Sequence, residues 1–305
     1  MYKLINILIS VINTGKVVKL FRHILHPKGI HWHKCGSKKI KRKNSKNKFP
    51  RYYECECGKY FSELYGTLLS YCKIDIRKVF LILVFLDLKF SFHRLSKLLG
   101  LTYKTVYLLG MKILKDLHSK REERIFVGEN EIDEVYVTAG QKGKEVIGRE
   151  ARVRGLSQRG RGTYETDRPP ILGIVNRCTH LIQLFVCVNL QIITIESLIK
   201  KVVKVGSTIY TDEYNIYNRL TNWNYNHKTV CHSRFEYAID YDGDGINKAH
   251  CNTVEGLWSL LRQYLRQFRG INKENLKYYV NFFEYIYNLE RLDYTGERII
   301  RDMIM

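Results

Sequence analysis

The sequence lacks the features that mark a membrane protein or a disulfide-stabilised secreted protein. No apolar run reaches about 18 residues, so we expect no transmembrane helix. The apolar start has no small-residue cleavage site after it, and helical periodicity continues to Leu25, which predicts an N-terminal helical segment over residues 1–25. The eight cysteines are scattered, and only Cys55 and Cys57 lie close together. This pattern favours the reducing cytoplasm over a disulfide framework.

Acidic residues are few compared with basic ones. The chain of 305 residues has 30 Asp and Glu against 51 Lys and Arg, a formal net charge of +21 at pH 7. An excess of this size indicates a polyanionic partner, and nucleic acid is the first candidate. A general basic bias, or attraction to an anionic membrane surface, would give the same composition. We expect DNA rather than a membrane as the partner, in the cytoplasm and associated with the nucleoid.

Residues 26–66 form a distinct segment that resembles a zinc ribbon. Cys35 and Cys57 are each followed by glycine, which lets backbone amides approach a metal-bound sulfur. A standard ribbon has Cys-x-x-Cys at both turns, whereas here Trp32 stands three residues before Cys35 and the second pair is contracted. The other interpretation is a ribbon that has lost its metal and is held by aromatic packing. The candidate ligands of a structural Zn²⁺ are one histidine and three thiols: His33 (or else His31), Cys35, Cys55 and Cys57.

Two stretches of the first 120 residues carry candidate DNA contacts. The basic loop of the ribbon-like segment predicts phosphate contacts with or without zinc, through Lys38, Lys39, Lys41, Arg42 and Lys43. Residues 74–120 show helical apolar spacing three times with a turn at Gly100, which predicts a helix-turn-helix region. Thr102 is the predicted N-cap of the last helix, whose first turn would enter the major groove. That turn consists of Tyr103, Lys104 and Thr105. A plain three-helix bundle would show the same spacing.

At Glu129 the apolar period changes, and residues 129–292 predict an α/β domain. The predicted order is three strands, a helix, a strand, a helix, a short strand and a helix. This is the ribonuclease H-like plan, in which parallel strands extend an antiparallel hairpin set. A polar loop over residues 141–168 is either a nucleic-acid-contacting loop or a disordered insertion. Its candidate DNA contacts are Arg152, Arg154, Arg159 and Arg161. Residues 293–305 remain as a C-terminal tail.

The stretch from His250 to Gly270 predicts one helix with a chemically suggestive polar face. Thr253 is the predicted N-cap, and the apolar stripe consists of Val254, Leu257, Leu260, Leu261, Leu265 and Phe268. Glu255 lies in the first turn, and Arg262 and Arg266 follow at helical spacing. Phosphodiester chemistry uses an acid to hold a metal and guanidinium groups to hold the DNA backbone. An ordinary charged surface helix would show the same charges.

Two upstream aspartates are the partners that such an acid needs. In the ribonuclease H-like plan, Asp133 in the middle of the first strand and Asp212 at the end of the fourth are neighbours. The long helix would then bring Glu255 over both. Three converging carboxylates can hold two Mg²⁺ or Mn²⁺ ions, because these hard cations prefer oxygen ligands. The alternatives are a strand-edge charge for Asp133 and a helix N-cap for Asp212.

Four segments carry a resemblance to a known family: EIDEVYV, RPPILGIVNR, GSTIYTDEYNIYNRL and HCNTVEGLWSLLRQYLR. They resemble the DDE transposases of prokaryotic insertion sequences of the ISXO type, which are related to eukaryotic Merlin elements. The ribbon-like segment followed by helices is similar to that family's layout as well, so the resemblance covers most of the chain.

The resemblance implies a role for each matching residue. Asp133 and Asp212 would be the two metal-binding aspartates and Glu255 the third acid, while Arg262 stands where the family commonly has lysine. Asn252 matches the asparagine described as the third catalytic position in some members. We prefer Glu255, because a charged oxygen holds Mg²⁺ better than an amide does.

The function implied is a transposase acting on double-stranded DNA as a homo-oligomer. It would bind the inverted-repeat ends of its element, cut there by metal-dependent hydrolysis and join the freed 3′-hydroxyls to target DNA. One rival is a ribonuclease H-like, structure-specific nuclease that cuts without joining. The other is a catalytically inactive, DNA-binding remnant of a transposase.

Overall fold

The computed structural model describes most of the chain, namely residues 9, 11–32, 34–44, 49–140, 162–230, 238 and 250–305. The chain forms two compact units. The first combines residues 1–117 with residues 294–305, and the second consists of residues 118–293. Among the described helices, none is long and apolar enough to cross a membrane.

The first unit begins with helix α1, Thr14–Leu25, and a small antiparallel sheet. The sheet has the order β1-β2-β3, with β1 at Ile40–Arg42, β2 at Tyr52–Cys55 and β3 at Tyr60–Ser62. Its aromatic core is built by Trp32, Tyr53 and Phe61, and the Trp32 and Phe61 ring centroids lie 4.9 Å apart. Helix and sheet are joined by an ion pair between Arg22 and the buried Glu63, with an N···O distance of 2.7 Å. Paired charges of this kind make burial of a carboxylate tolerable.

Three helices follow, each begun by a capping side chain. They are α2 at Ile76–Asp87, α3 at Phe92–Leu99 and α4 at Tyr103–Ser119. Asp75 accepts a hydrogen bond from the Arg77 N–H at 2.8 Å, and Thr102 accepts one from the Thr105 N–H at 3.2 Å. Gly100 has a φ of +59° and ends α3, which is the usual role of glycine there. Two helices joined by a turn of three residues are therefore present where the sequence predicts them.

The second unit is a mixed α/β domain around a five-stranded sheet with the order β6-β5-β4-β7-β8. Its elements are, in chain order, β4 at Glu129–Tyr136, β5 at Pro170–Asn176, β6 at Ile182–Val186, α5 at Ile192–Val202, β7 at Thr208–Thr211, β8 at Asn226–Thr229, α6 at Asn252–Arg266 and α7 at Lys273–Leu292. Two short 3₁₀ helices, Asn215–Arg219 and Thr221–Trp223, connect β7 to β8. β4, β5 and β6 pair antiparallel, whereas β7 and β8 pair in parallel. The predicted α/β class with a mixed sheet is confirmed.

Helices cover both faces of this sheet. On one face α5 and the 3₁₀ helices pack with Ile132, Ile174 and Ile209. On the other face α6 lies over β4 and β5. α7 is tied to the free edge of strand β6, because Glu284 accepts the Leu184 N–H at 2.6 Å. Residues that alternate along β4 therefore point either to the α5 layer or to α6.

After α7 the chain returns to the first unit and forms helix α8, Gly296–Ile304. Thr295 caps it by accepting the Arg298 N–H at 3.3 Å, and Met303 and Ile304 are buried. α8 contacts α1. The last residues of the chain thus contribute to the folded core of the first unit.

Candidate active site

The two predicted aspartates are brought level with each other by strand pairing. β4 and β7 pair in parallel with Glu129 opposite Thr208 and Glu131 opposite Tyr210. The same register extended by two residues puts Asp133 level with Asp212, which follows β7 directly. The two carboxylates are close enough for the charge of Asp212 to raise the pKa of Asp133. Asp212 also accepts the Tyr214 N–H at 3.0 Å through Oδ1.

Asp133 has a strongly perturbed carboxyl group. Burial raises its pKa from 3.8 to about 6, and the charges of Asp212 and Glu255 add to the effect. A hydrogen bond from Trp258 Nε1 to Asp133 Oδ2, 2.7 Å long, acts in the opposite direction. A group whose charged form is destabilised by burial and by like charges is typical of a functional site.

Gly173 makes the contact between Trp258 and Asp133 possible, and neither Gly173 nor Trp258 is among the residues predicted from the sequence. Gly173 lies directly opposite Asp133 in the β4–β5 pairing. A Cβ atom at position 173 would lie 2.2 Å from the Trp258 ring, so only glycine leaves room for the indole to cross β5. A glycine inside a strand is the sequence signal that points to such a close approach.

α6 carries Glu255 as the sequence predicts, but its start and apolar face differ from the prediction. The helix begins at Asn252 with Cys251 as N-cap, so placing Thr253 at the N-cap is wrong. Leu260, predicted in the apolar stripe, is 49% exposed, and Trp258 is buried instead. The helix turns its apolar side towards β4 and β5, where the indole can reach a buried carboxylate.

Asn252 and Glu255 both lie on the exposed surface at the start of α6. They are three residues apart, so their side chains lie on the same side of the helix. The charge of Glu255 makes a smaller contribution than that of Asp212 to the raised pKa of Asp133. Glu255 is therefore a third carboxylate near Asp133, without the close grouping of ligand atoms that the three thiols of the first unit show.

His250, two residues before α6, is held by two charged neighbours. Arg177 approaches its Nδ1 at 3.1 Å and donates to its backbone oxygen at 2.6 Å. Glu131 Oε1 lies 3.4 Å from the same Nδ1. Burial and the Arg177 charge lower the pKa of His250, which favours the neutral imidazole with Nδ1 accepting from Arg177.

The other acid beside Asp133, Glu134, points to the opposite face of the sheet. Its Oε2 accepts a hydrogen bond from the Tyr217 hydroxyl at 2.8 Å. Burial raises the pKa of Tyr217 well above its ordinary value, so this hydroxyl stays protonated and donates. Through this bond Glu134 contacts the α5 layer, and the charges of Asp133 and Asp212 also act on the same Tyr217 hydroxyl.

A cleft of about 370 Å³ extends along α6 beyond the acids, with Tyr136 and Thr138 on one wall. Arg262 and Arg266 lie on the other wall, and both are exposed. Guanidinium groups in such a cleft can contact successive phosphates of a nucleic-acid backbone. The two arginines are therefore placed on the same helix as Glu255 and beside the end of β4.

Three of the four predicted zinc ligands form a thiol cluster in the first unit. Cys35 Sγ lies 3.4 Å from Cys55 Sγ and 3.9 Å from Cys57 Sγ. The Lys59 N–H holds the pKa of the Cys57 thiol below its usual value, which favours the thiolate that binds metals. His33 lies outside the described residues, whereas His31 approaches the Gly29 oxygen at 3.3 Å through Nδ1.

The predicted DNA contacts of the first unit lie on the surface of the ribbon-like sheet and of α4. Tyr103 is 46% exposed and stacks on Tyr107, while Thr105 shares a 2.7 Å hydrogen bond with Thr102. The basic residues of this surface are all exposed: Lys38, Lys39, Lys41, Arg42, Lys43 and Lys104. Four predicted contacts lie outside the described residues, namely Arg152, Arg154, Arg159 and Arg161.

Comparison with known proteins shows which proteins this chain is similar to. The profile of the ISXO2-like transposase domain matches residues 126–288, which include all three carboxylates. A protein from Halobacterium salinarum, described as an uncharacterized protein in transposable element ISH50, is 31% identical over 278 residues and covers 90% of both chains. An uncharacterized transposase-like protein from Haemophilus influenzae is 27% identical over 100 residues, which cover 33% of this chain and 75% of the relative.

Proposed function

The chain belongs to the ISXO2-like transposases, and from this premise we propose that it cuts and joins DNA at the ends of its own insertion sequence. Membership of the family implies an enzyme of DNA transposition with DNA as its substrate. The proposal adds that it binds terminal inverted repeats, cleaves them by metal-dependent hydrolysis and joins the 3′-hydroxyl ends to target DNA. Acting on chromosomal DNA, it would work in the cytoplasm at the nucleoid.

The observation that carries the proposal is the convergence of Asp133, Asp212 and Glu255. Strand pairing places the two aspartates side by side, and the charges of Asp212 and Glu255 both reach Asp133. The sheet order and the α6 crossing support a ribonuclease H-like fold for the second unit. In this interpretation the three carboxylates are the catalytic acids of a DDE site.

The donor set fits Mg²⁺ or Mn²⁺. Carboxylate oxygens are the ligands that these hard ions prefer, and a cation would remove the like-charge repulsion that raises the pKa of Asp133. Asp133, Asp212 and Glu255 would hold the metal, which would activate a water or 3′-hydroxyl and stabilise the leaving oxygen. Trp258 orients Asp133, while Arg262 and Arg266 hold the DNA backbone in the neighbouring cleft.

Glu255 is the preferred third acid, and Asn252 is the alternative. Both side chains lie on the same exposed side of α6. The charge of Glu255 contributes to the pKa shift of Asp133, whereas the neutral amide of Asn252 adds no charge to the cluster. Asn252 can still contact the substrate or a metal-bound water from its position one turn earlier.

We assign recognition of the element ends to the first unit. α3 and α4 form a helix-turn-helix that offers Tyr103, Lys104 and Thr105 to the major groove. The basic side chains of the ribbon-like sheet then neutralise backbone phosphates. Further DNA contacts are proposed for the arginines that lie outside the described residues, namely Arg152, Arg154, Arg159 and Arg161. The protein is proposed to act as a homo-oligomer on two ends.

The thiol cluster fits a structural Zn²⁺. With Zn–S bonds of about 2.3 Å, two sulfurs of a tetrahedral site lie about 3.8 Å apart. Cys35 lies at 3.4 and 3.9 Å from its two partners, and all three sulfurs are within 4.8 Å of one another. His33 is proposed as the fourth ligand, and aromatic packing around Trp32 supports the sheet with or without the metal.

The test is to incubate the purified protein with Mg²⁺ and a linear DNA that carries both element ends. We expect nicks or breaks at the ends and, with a target plasmid present, covalent strand-transfer products. Cleavage without strand transfer would favour the nuclease. Specific binding of the ends without any cleavage, in Mg²⁺ or Mn²⁺, would favour the DNA-binding remnant. Inverted repeats with short direct duplications beside the gene would support the transposase over both.

A further inference from the structure

We propose that Glu131 is a positioning residue, which seats the start of α6 on the sheet and thereby fixes Glu255 and Trp258 relative to Asp133. The proposal deepens the function proposed above and rests on it, because it concerns the same three acids. Glu131 itself is two residues from Asp133 on β4, and its side chain points to the same face of the sheet.

Glu131 caps α6 from a distant strand. Its Oε2 accepts the N–H groups of Thr253 and Val254, both at 3.0 Å, and its Oε1 accepts the Thr253 hydroxyl at 2.8 Å. The N-cap residue Cys251 makes no side-chain capping bond. The first N–H groups of a helix need an acceptor, and the positive end of the helix dipole favours a carboxylate there. A residue 122 positions earlier in the chain supplies both.

Arg177 completes the anchor by pairing with the buried carboxylate. The Glu131 side chain is 0% exposed, and Arg177 Nε donates to its Oε1 at 2.9 Å. The same guanidinium donates to the His250 oxygen just before α6, and it lies 3.8 Å from the centroid of the Tyr210 ring. A buried carboxylate is costly unless it is paired and hydrogen-bonded, and here it is both. β4, the end of β5 and the start of α6 are joined at one point.

These bonds also exclude Glu131 as a metal ligand. A carboxylate offers roughly four acceptor positions. Oε1 accepts from Arg177 and the Thr253 hydroxyl, and Oε2 accepts from two backbone N–H groups. Both oxygens are thus fully used within the protein. Glu131 can act on the metal site only through the elements that it holds in place.

The consequence is a short mechanical connection between the anchor and the acids. Asp133 follows Glu131 by two residues on a paired strand, and Glu255 follows Thr253 by two residues on the helix. Trp258 lies one turn further and bonds Asp133 directly. A helix start that is no longer held would change the spacing of Glu255 and Asp133, while the rest of the core stayed intact.

Luminescent Tb³⁺ provides a readout that does not depend on DNA cleavage. Tb³⁺ is a hard cation that binds carboxylates, and tryptophan excitation sensitises its emission at short range. Trp258 Nε1 lies 2.7 Å from Asp133 Oδ2, so an ion held by these acids lies next to the indole. We would titrate the full-length protein with Tb³⁺ and measure Mg²⁺-dependent cleavage and thermal unfolding on the same samples.

The variant is Glu131→Gln, and its matched control is Glu129→Gln. Glutamine keeps the shape but removes the charge that two helix N–H groups and Arg177 bind, so we expect Tb³⁺ affinity and cleavage each to fall about tenfold or more. Glu129 is on the same strand and 3.6 Å from Arg177, but its side chain is 48% exposed. Glu129→Gln should keep both values within about twofold. Wild-type Tb³⁺ affinity in Glu131→Gln, or an equal loss in Glu129→Gln, would overturn the proposal.

Two further variants keep the result interpretable. Thr253→Val removes only the hydroxyl donor, so it should fold and weaken Tb³⁺ binding by roughly threefold, whereas Thr253→Ser should restore the wild-type value. If Glu131→Gln does not unfold cooperatively, the comparison of Thr253→Val with Thr253→Ser tests the proposal instead. Equal Tb³⁺ affinities of these two variants would refute it. Asp133→Asn tests the site itself. If Tb³⁺ emission survives that change, the ion is not held at Asp133. The proposed acid site is then refuted, and the positioning role of Glu131 is refuted with it.

Discussion

Asp133→Asn should stabilise the protein in the absence of divalent metal. Burial and two like charges raise the pKa of Asp133 from 3.8 to about 6, so ionising it in the folded state is unfavourable. The stability associated with the protonated group is fully present below about pH 4 and is lost as the pH rises through about 6. At pH 8 the shift corresponds to about 3 kcal/mol of lost folding free energy. Asparagine avoids this loss and still offers an oxygen to the Trp258 N–H.

Thermal unfolding in EDTA, followed by tryptophan fluorescence, measures the effect. A gain of about 3 kcal/mol in a unit of this size raises Tm by about 6–12 °C. The gain should be complete at pH 8, smaller at pH 5 and absent near pH 3.5. Glu290→Gln removes an exposed charge from α7 and should change Tm little at any pH. A Tm of Asp133→Asn equal to or below wild type at pH 8, or a gain that does not depend on pH, would refute this reasoning.

Three further changes test other parts of the structure. Gly173→Ala puts a methyl group 2.2 Å from the Trp258 ring, so it should displace the indole, cost about 1–3 kcal/mol in unfolding experiments and reduce cleavage; an unchanged unfolding curve would contradict this packing. Arg262→Ala should reduce cleavage more than binding of the element ends, because Arg262 lines a cleft on the helix that carries Glu255; equal losses in the two assays would oppose that placement. Cys35→Ser should lower the zinc content of the purified protein and its thermal stability, whereas metal-free wild-type protein that still binds element ends would oppose the zinc site.

Much of the second unit could be predicted because its signals are local. Alternating apolar residues predict β4, and the order of strands and helices predicts a mixed sheet, which the structure confirms. That order also predicts Asp133 beside Asp212, and the pairing of β4 with β7 agrees. The transposase family is confirmed by the comparisons, whereas the catalytic roles of the individual residues stay predictions.

The contacts that orient the site could not be predicted, because they join residues far apart in the chain. Glu131 contacts Thr253 across 122 positions, and no local pattern separates it from a solvent-exposed strand glutamate. The missing side chain of Gly173 leaves the space that the Trp258 ring fills, and this contact is visible only once α6 packs on β5.

Leu260 lies two residues from Trp258, about 200° around the helix, and so points away from the buried side. Helical spacing from Val254 and Leu261 selects Trp258, whereas hydrophobicity alone selects Leu260.

The central claim is that Asp133, Asp212 and Glu255 act together as one metal-dependent cutting site. Asp133→Asn, Asp212→Asn and Glu255→Gln change one charge each, and Asn252→Ala separates the two candidates for the third position. End binding and Mg²⁺-dependent cleavage should be measured on the same four variants. We expect the three acid variants to bind element ends like wild type and to lose cleavage and joining, while Asn252→Ala retains activity. Loss of activity in Asn252→Ala with activity kept in Glu255→Gln would assign the third position to the asparagine. Unchanged cleavage in all four would contradict the claim.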